Sequence, residues 1–188
     1  ERFRAEGRLP HGHSGTAAFN NLRGNMDSYC KALQRDESGP LIPGDDMAEL
    51  VDLQVGDFHL TGQLDSFADD HTQVNLGCAR VGGRQLLAGW IRHLVWHALP
   101  NPELSPRFTI VTGQSKGKLE ARWINPVEGA DKAKELLAGL LELYWRGRLE
   151  PLLLFPKTSY AYMAANTRNA ETEEEILMKR MEKARAQW

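Results

Sequence analysis

Two cysteines in 188 residues, Cys30 and Cys78, are too few and too far apart for a disulfide framework or a cysteine-based metal site. Both are read as reduced thiols, as in a cytoplasmic protein. No stretch approaches the roughly eighteen consecutive apolar residues of a membrane span, and the start has no apolar core of a secretion signal. Charge of one sign is also lacking: the formal net charge is −2, which excludes the whole-chain electrostatic signature of an autonomous nucleic-acid binder. Any contact with DNA is therefore expected to be local and salt-sensitive. There is no internal repeat and no extended low-complexity tract. What is present, 41% hydrophobic residues, is enough for one sizeable core, and a single domain over 1–188 is expected.

The apolar pattern alternates between helical and strand periods. Gly15 to Leu33 reads as a helix with Ala17, Ala18, Leu22, Met26, Tyr29 and Leu33 at near-helical spacing, after an opening segment over 1–14. Residues 35–48, with Gly39-Pro40, Pro43-Gly44 and clustered acids, read as a loop. Glu49 to Val55, Phe58 to Phe67 and Thr72 to Val81 predict an antiparallel meander of three strands. Arg84 to Ala98 then gathers Leu86, Leu87, Trp90, Ile91, Leu94, Val95 and Ala98 on one helical face. Arg107 to Val111 and Leu119 to Trp123 predict a second hairpin. Asp131 to Arg148 predicts a helix, and Leu152 to Phe155, between prolines, a short buried strand. A polar helix over 171–188 follows. The expected fold class is α/β (mixed α+β), a central mixed sheet with an antiparallel meander flanked by helices.

The meander places Asp65 at a strand end, where a metal-dependent nuclease carries one of its acids. Two-metal phosphodiester hydrolysis needs carboxylates from neighbouring strands converging on Mg²⁺, with a group that orients or activates the attacking water. The partner strand would supply an acid and, two residues on, a lysine on the same face. It offers Gly77 and Ala79 instead, and neither side chain can ligate a metal or stabilise an anion.

Four segments, in order and spacing, resemble the C-terminal domain of RecC, the gamma subunit of exodeoxyribonuclease V. They are Arg2-Phe3-Arg4-Ala5-Glu6-Gly7-Arg8-Leu9-Pro10, Gly62-Gln63-Leu64, Gly89-Trp90-Ile91-Arg92-His93-Leu94-Val95, and Pro151-Leu152-Leu153-Leu154-Phe155-Pro156. The resemblance covers nearly the whole chain. It implies a RecB-like PD-(D/E)XK fold, a restriction-endonuclease-like core, in which catalysis has been lost and the domain acts as a scaffold. Gly15-Thr16-Ala17-Ala18-Phe19 then resembles the helix start where active relatives carry a metal-binding His, with Phe19 in its place. Phe19, Gly77 and Ala79 would be degenerate site positions beside a retained Asp65. No catalytic residue, metal or cofactor is expected in this domain, since Mg and ATP act in the partner subunits of the family. The implied partners are RecB-type and RecD-type subunits and the unwound DNA of the complex, with no membrane. The chain would be a fragment of a larger subunit that continues past Trp188.

Other candidates come from the residues themselves. Arg107, Lys116, Lys118 and Arg122 surround a projecting hairpin and could touch phosphates, although cations also keep exposed hairpins soluble. Trp96 lies nearly opposite the centre of its helix's apolar face, so either this chain covers it or it anchors a neighbouring domain or subunit. His93 and His97 have the spacing of a zinc-binding pair, but Leu94 stands where the catalytic Glu would be and no third ligand is evident. His11 and His13 flank Gly12 in an apparent loop, where a chance pairing is the simpler reading than a metal site.

Two readings compete with the scaffold. One is an active metal-dependent PD-(D/E)XK nuclease, with Asp65, Asp69 or Asp70 and a lysine from elsewhere forming the site; Asp131, followed by Lys132 and Lys134, fits a helix start better. The other is a protein-binding domain without DNA contact.

Overall fold

The computed structural model describes residues 6–34, 41–44, 47–100, 105–115, 118–152, 155–165 and 172–186. Among these, five helices and six strands follow one another as α1 (Gly12–Gln34), β1 (Glu49–Val55), β2 (Phe58–Leu64), β3 (Phe67–Asp69), β4 (Thr72–Asn75), α2 (Gly83–Ala98), β5 (Phe108–Ser115), β6 (Lys118–Ile124), α3 (Gly129–Leu149), α4 (Pro156–Met163) and α5 (Glu173–Arg185). This is a mixed α+β architecture with a mixed central sheet, consistent with an α/β nuclease-like core.

The central sheet has the order β3-β4-β5-β6. Its outer pairs, β3 with β4 and β5 with β6, are antiparallel, while β4 and β5 run parallel with Val74 opposite Ile110. Parallel neighbours need a crossover, and α2 supplies it. Alternate residues of β5 face opposite helices. Ile110 packs with Tyr29 and Leu33 of α1. On the other side, Thr109 meets His93 of α2, and Gly89 lies so close to Val111 that an added Cβ would fall 2.4 Å from Val111 Cγ2.

β1 and β2 form a separate hairpin, paired from Glu49 with Leu64 to Val55 with Phe58. Its alternating Val51, Leu53 and Val55 turn inward onto a core that also holds Leu94, Trp96, Ala133 and Leu137. Thus α2 is buried on two sides, by the sheet and by the hairpin with α3. That explains why a single-stripe helical wheel misplaces Trp96.

Several boundaries depart from the sequence pattern. The run Phe58 to Phe67 breaks at Ser66, whose φ of 68° is a left-handed conformation incompatible with a continuing strand. The predicted three-stranded meander is therefore split between two sheets. The strand starting at Thr72 ends at Asn75 rather than Val81, and α1 begins at Gly12, inside the expected opening segment. No strand forms at Leu152 or Phe155, because Pro156 begins α4 and Phe155 is 46% exposed; Leu153 and Leu154 lie outside the described residues. Thr172 caps α5, its hydroxyl accepting the Glu175 N–H at 3.2 Å. Among the described residues, no helix is long and apolar enough to cross a membrane.

Candidate functional site

Asp65 follows β2 and directly precedes the left-handed Ser66, so its side chain projects from the break between the two sheets. Its Oδ1 accepts the Ser66 hydroxyl at 3.2 Å and faces Arg92 Nη1 of α2 at 3.4 Å. The same Arg92 nitrogen donates to Asn75 Oδ1 at 3.3 Å, at the end of β4. Gln73, fully buried on that strand, donates its amide to the Asp65 carbonyl at 3.2 Å. The acid is thus held by a hydroxyl and a guanidinium, and the β4 side chain that shares this guanidinium is an amide.

This donor set does not fit a divalent cation. A hard metal wants several oxygens, at least some of them charged, whereas Asp65 is a single carboxylate opposed by a cation. No cluster of three His, Cys, Asp or Glu side chains able to hold a metal occurs among the described residues.

Gly77 and Ala79 lie beyond the end of β4, not on it as the sequence suggested, and they act through their backbones. The Gly77 N–H donates to Tyr29 Oη at 3.3 Å, and the Ala79 carbonyl accepts the Gln114 N–H at 3.1 Å. Tyr29 Oη also meets Thr112 Oγ1 at 2.7 Å. These contacts stitch the post-β4 segment to α1 and β5, where an acid-x-lysine motif would need two side chains on a straight strand. Phe19 is 40% exposed on the outer half of α1. That helix covers one face of the sheet, while α2, which brings Arg92 to Asp65, covers the other.

Trp96 does not serve as an exposed anchor. It is 1% exposed, packs edge-on against Phe67 at 5.0 Å, and donates its indole N–H to Glu49 Oε1 at 3.2 Å. Arg107 is likewise corrected as a DNA contact, since it is 7% exposed and its guanidinium is committed inward. It donates to the carbonyls of Trp96, Leu99 (3.3 Å) and Pro100 (3.1 Å), and stacks 5.1 Å above the Trp96 ring. A cation at the last turn of α2 satisfies carbonyls that the helix leaves open and complements its dipole.

His93 and His97 form a structural pair. His93 is fully buried between Thr109 Oγ1 (2.9 Å) and the Asn125 carbonyl (3.0 Å), and His97 reaches the Arg107 carbonyl at 3.0 Å. Burial, and secondarily the neighbouring His97, lower the His93 pKa to about 4 against the opposing pull of the Asn125 carbonyl. His13 lies within the first turn of α1 rather than in a loop, while His11 sits in the bend just before the helix.

Of the hairpin cations, Lys118 is exposed at the start of β6, Arg122 pairs with Glu120 at 3.2 Å, and Lys116 lies outside the described residues. The sequence reading missed Arg92 as the counter-charge of Asp65, and Arg80, Lys157 and Lys183 as neighbours of Arg122 around one cavity. The first carried a faint signal, an arginine in the middle of a helix whose apolar residues outnumber its polar ones. The others are brought together only by tertiary structure.

A family profile described as the RecC C-terminal domain matches residues 1–167. The chain is also 31% identical over 160 residues, 85% of its length, to the RecBCD enzyme subunit RecC of Mycolicibacterium smegmatis. It spans 14% of the length of that relative. With a match over most of its residues and a nuclease-like core, the chain belongs to the RecC C-terminal domain family.

Proposed function

We propose that this domain is a non-catalytic, nuclease-like scaffold and docking module of a RecBCD-type helicase–nuclease, acting in double-strand break repair. The observation that carries the reading is the Asp65–Arg92–Asn75 arrangement, in which a cation faces the single acid present where a nuclease would gather several around its metal. Asp65 then positions the loop between the two sheets and takes no part in bond-breaking.

Docking is supported by the outer half of α3. Leu143, Tyr144, Trp145 and Leu149 are exposed there, with Trp145 in edge contact with Phe58 at 6.4 Å. Large apolar side chains left exposed together along one stretch of helix are candidates for such an interaction face. It takes the place of Trp96 as the docking candidate, with RecB-type and RecD-type subunits as the proposed partners. The test is co-purification of the chain with RecB-type and RecD-type subunits. Retention that is lost in a Tyr144→Glu, Leu149→Glu double variant, whose circular dichroism is unchanged, is the expected result. Equal retention of both proteins, or of neither, counts against docking through α3.

A further inference from the structure

Helix α5 buries none of its residues, although Thr172 caps it and three acids fill its first turn. One side of it rests on α4, where Arg180 lies 5.6 Å over the Tyr162 ring and Lys183 shares the wall of a cavity with Lys157 and Tyr160. With about 3.6 residues per turn, Glu174, Met178, Met181 and Arg185 fall on one stripe pointing away from α4, and Leu177 runs along its edge. All five are exposed, Leu177 by 48%, Met178 by 60% and Met181 by 37%. Along the helix the stripe therefore runs from an acid, through an apolar centre, to a base.

Acids at the start of a helix and bases at its end are the ordinary complement to the helix dipole, which accounts for Glu173, Glu175 and Lys183. It does not account for methionines left in water between Glu174 and Arg185. Neither of those two charges forms an ion pair among the described residues. Their order makes the stripe complementary to itself when reversed. In an antiparallel pair of α5 helices, Glu174 of one copy faces Arg185 of the other and Met178 faces Met181, with Leu177 beside the other copy's Met181. Two-fold symmetry makes each of these contacts twice. A parallel pair would instead set Glu174 against Glu174 and Arg185 against Arg185. Thioether side chains suit such a seam, since they adapt to one another's shape.

We propose that α5 is a self-pairing element that joins two copies of this chain as an antiparallel, two-fold dimer, with Met178 and Met181 at its centre and Glu174–Arg185 ion pairs at both ends. Two helices of 13 residues bury less than the roughly 1,200 Å² of a stable interface, so the dimer is weak and forms as the chain is concentrated. The proposal stands apart from the Asp65 site and from docking through α3.

The experiment is sedimentation equilibrium of the 188-residue chain over a concentration series, with Glu174→Arg, Arg185→Glu, an equal mixture of the two, and a Met178→Glu, Met181→Glu double variant. The wild type is expected to pass from monomer to dimer. Each charge variant sets like charges against each other at both ends, and each should weaken association about tenfold. Mixing the two should recover it to within about threefold of the wild type, because an all-basic stripe then meets an all-acidic one. A misfolded protein cannot produce this recovery. The methionine variant, with unchanged circular dichroism, should remain monomeric. A wild type that is monomeric throughout leaves the stripe to a different partner and overturns the proposal, as do a dimer indifferent to every α5 variant and a mixture no better than its parts.

Discussion

Arg92 Nη1 lies 3.4 Å from Asp65 Oδ1 and 3.3 Å from Asn75 Oδ1, so one guanidinium joins the end of the hairpin to the end of β4. Both charged side chains are about half exposed or more, and exposed pairs contribute little stability, about 1 kcal/mol or less. Replacing Arg92 with Met should therefore shift the urea midpoint only slightly. It should also leave the protein without measurable Mg²⁺ affinity by calorimetry, because Asp65 remains a single carboxylate. Micromolar metal binding by the variant would show that other acids converge on the site.

The His93 environment sets a pH dependence whose sign is fixed by its direction. Its folded pKa is lowered to about 4 from an ordinary value of 6.5, so below pH 6.5 the unfolded chain takes up a proton that the folded chain refuses. Stability is fully present above pH 6.5 and is lost as the pH falls toward 4, by about 3 kcal/mol in total from this group. His97 is lowered in the same direction, chiefly by burial, and adds to the slope. Urea titrations between pH 7 and 4 should show this loss, with a shallower slope in His93→Gln. Parallel slopes for the two proteins would count against the assignment.

Arg107 is predicted to matter for folding and not for DNA. Its three carbonyl partners and its stacking on Trp96 require a planar, multi-donor group, which lysine cannot reproduce. Arg107→Lys should lower stability by about 2–3 kcal/mol, the scale of lost charge-assisted hydrogen bonds in a buried site. At a temperature where the variant is folded, its oligo-dT affinity should equal that of the wild type. A selective loss of DNA affinity without loss of stability would restore the surface role that burial argues against.

Much of the fold was legible because its elements repeat their signals over many residues. The helices α2 and α3 and the β5–β6 hairpin follow apolar periodicity closely. What was not legible depended on contacts distant in sequence. Trp96 looked misplaced on a one-stripe helix because α2 is covered on two sides, and periodicity assumes one. Gly89 carried no signal as a residue, yet the approach of Val111 leaves no room for a Cβ. The breaks at Ser66 and after Asn75 are single-residue conformational choices within runs that look like strand. At the candidate site the sequence shows which side chains lack ligating atoms, those of Gly77, Ala79 and Phe19. What replaces them was not legible, because nothing in the sequence pairs Arg92 with Asp65. Likewise, Arg107 read as a hairpin cation until its guanidinium was found turned inward, while Arg80, Lys157 and Lys183 are scattered through the chain and meet only in space.

The central claim, that the nuclease-like core carries no chemistry, is tested most directly by incubating the chain with single- and double-stranded DNA and Mg²⁺ or Mn²⁺, beside an Asp65→Ala variant. The account predicts intact DNA with both proteins and both metals. Cleavage by the wild type that the substitution abolishes would make Asp65 a metal ligand and contradict it.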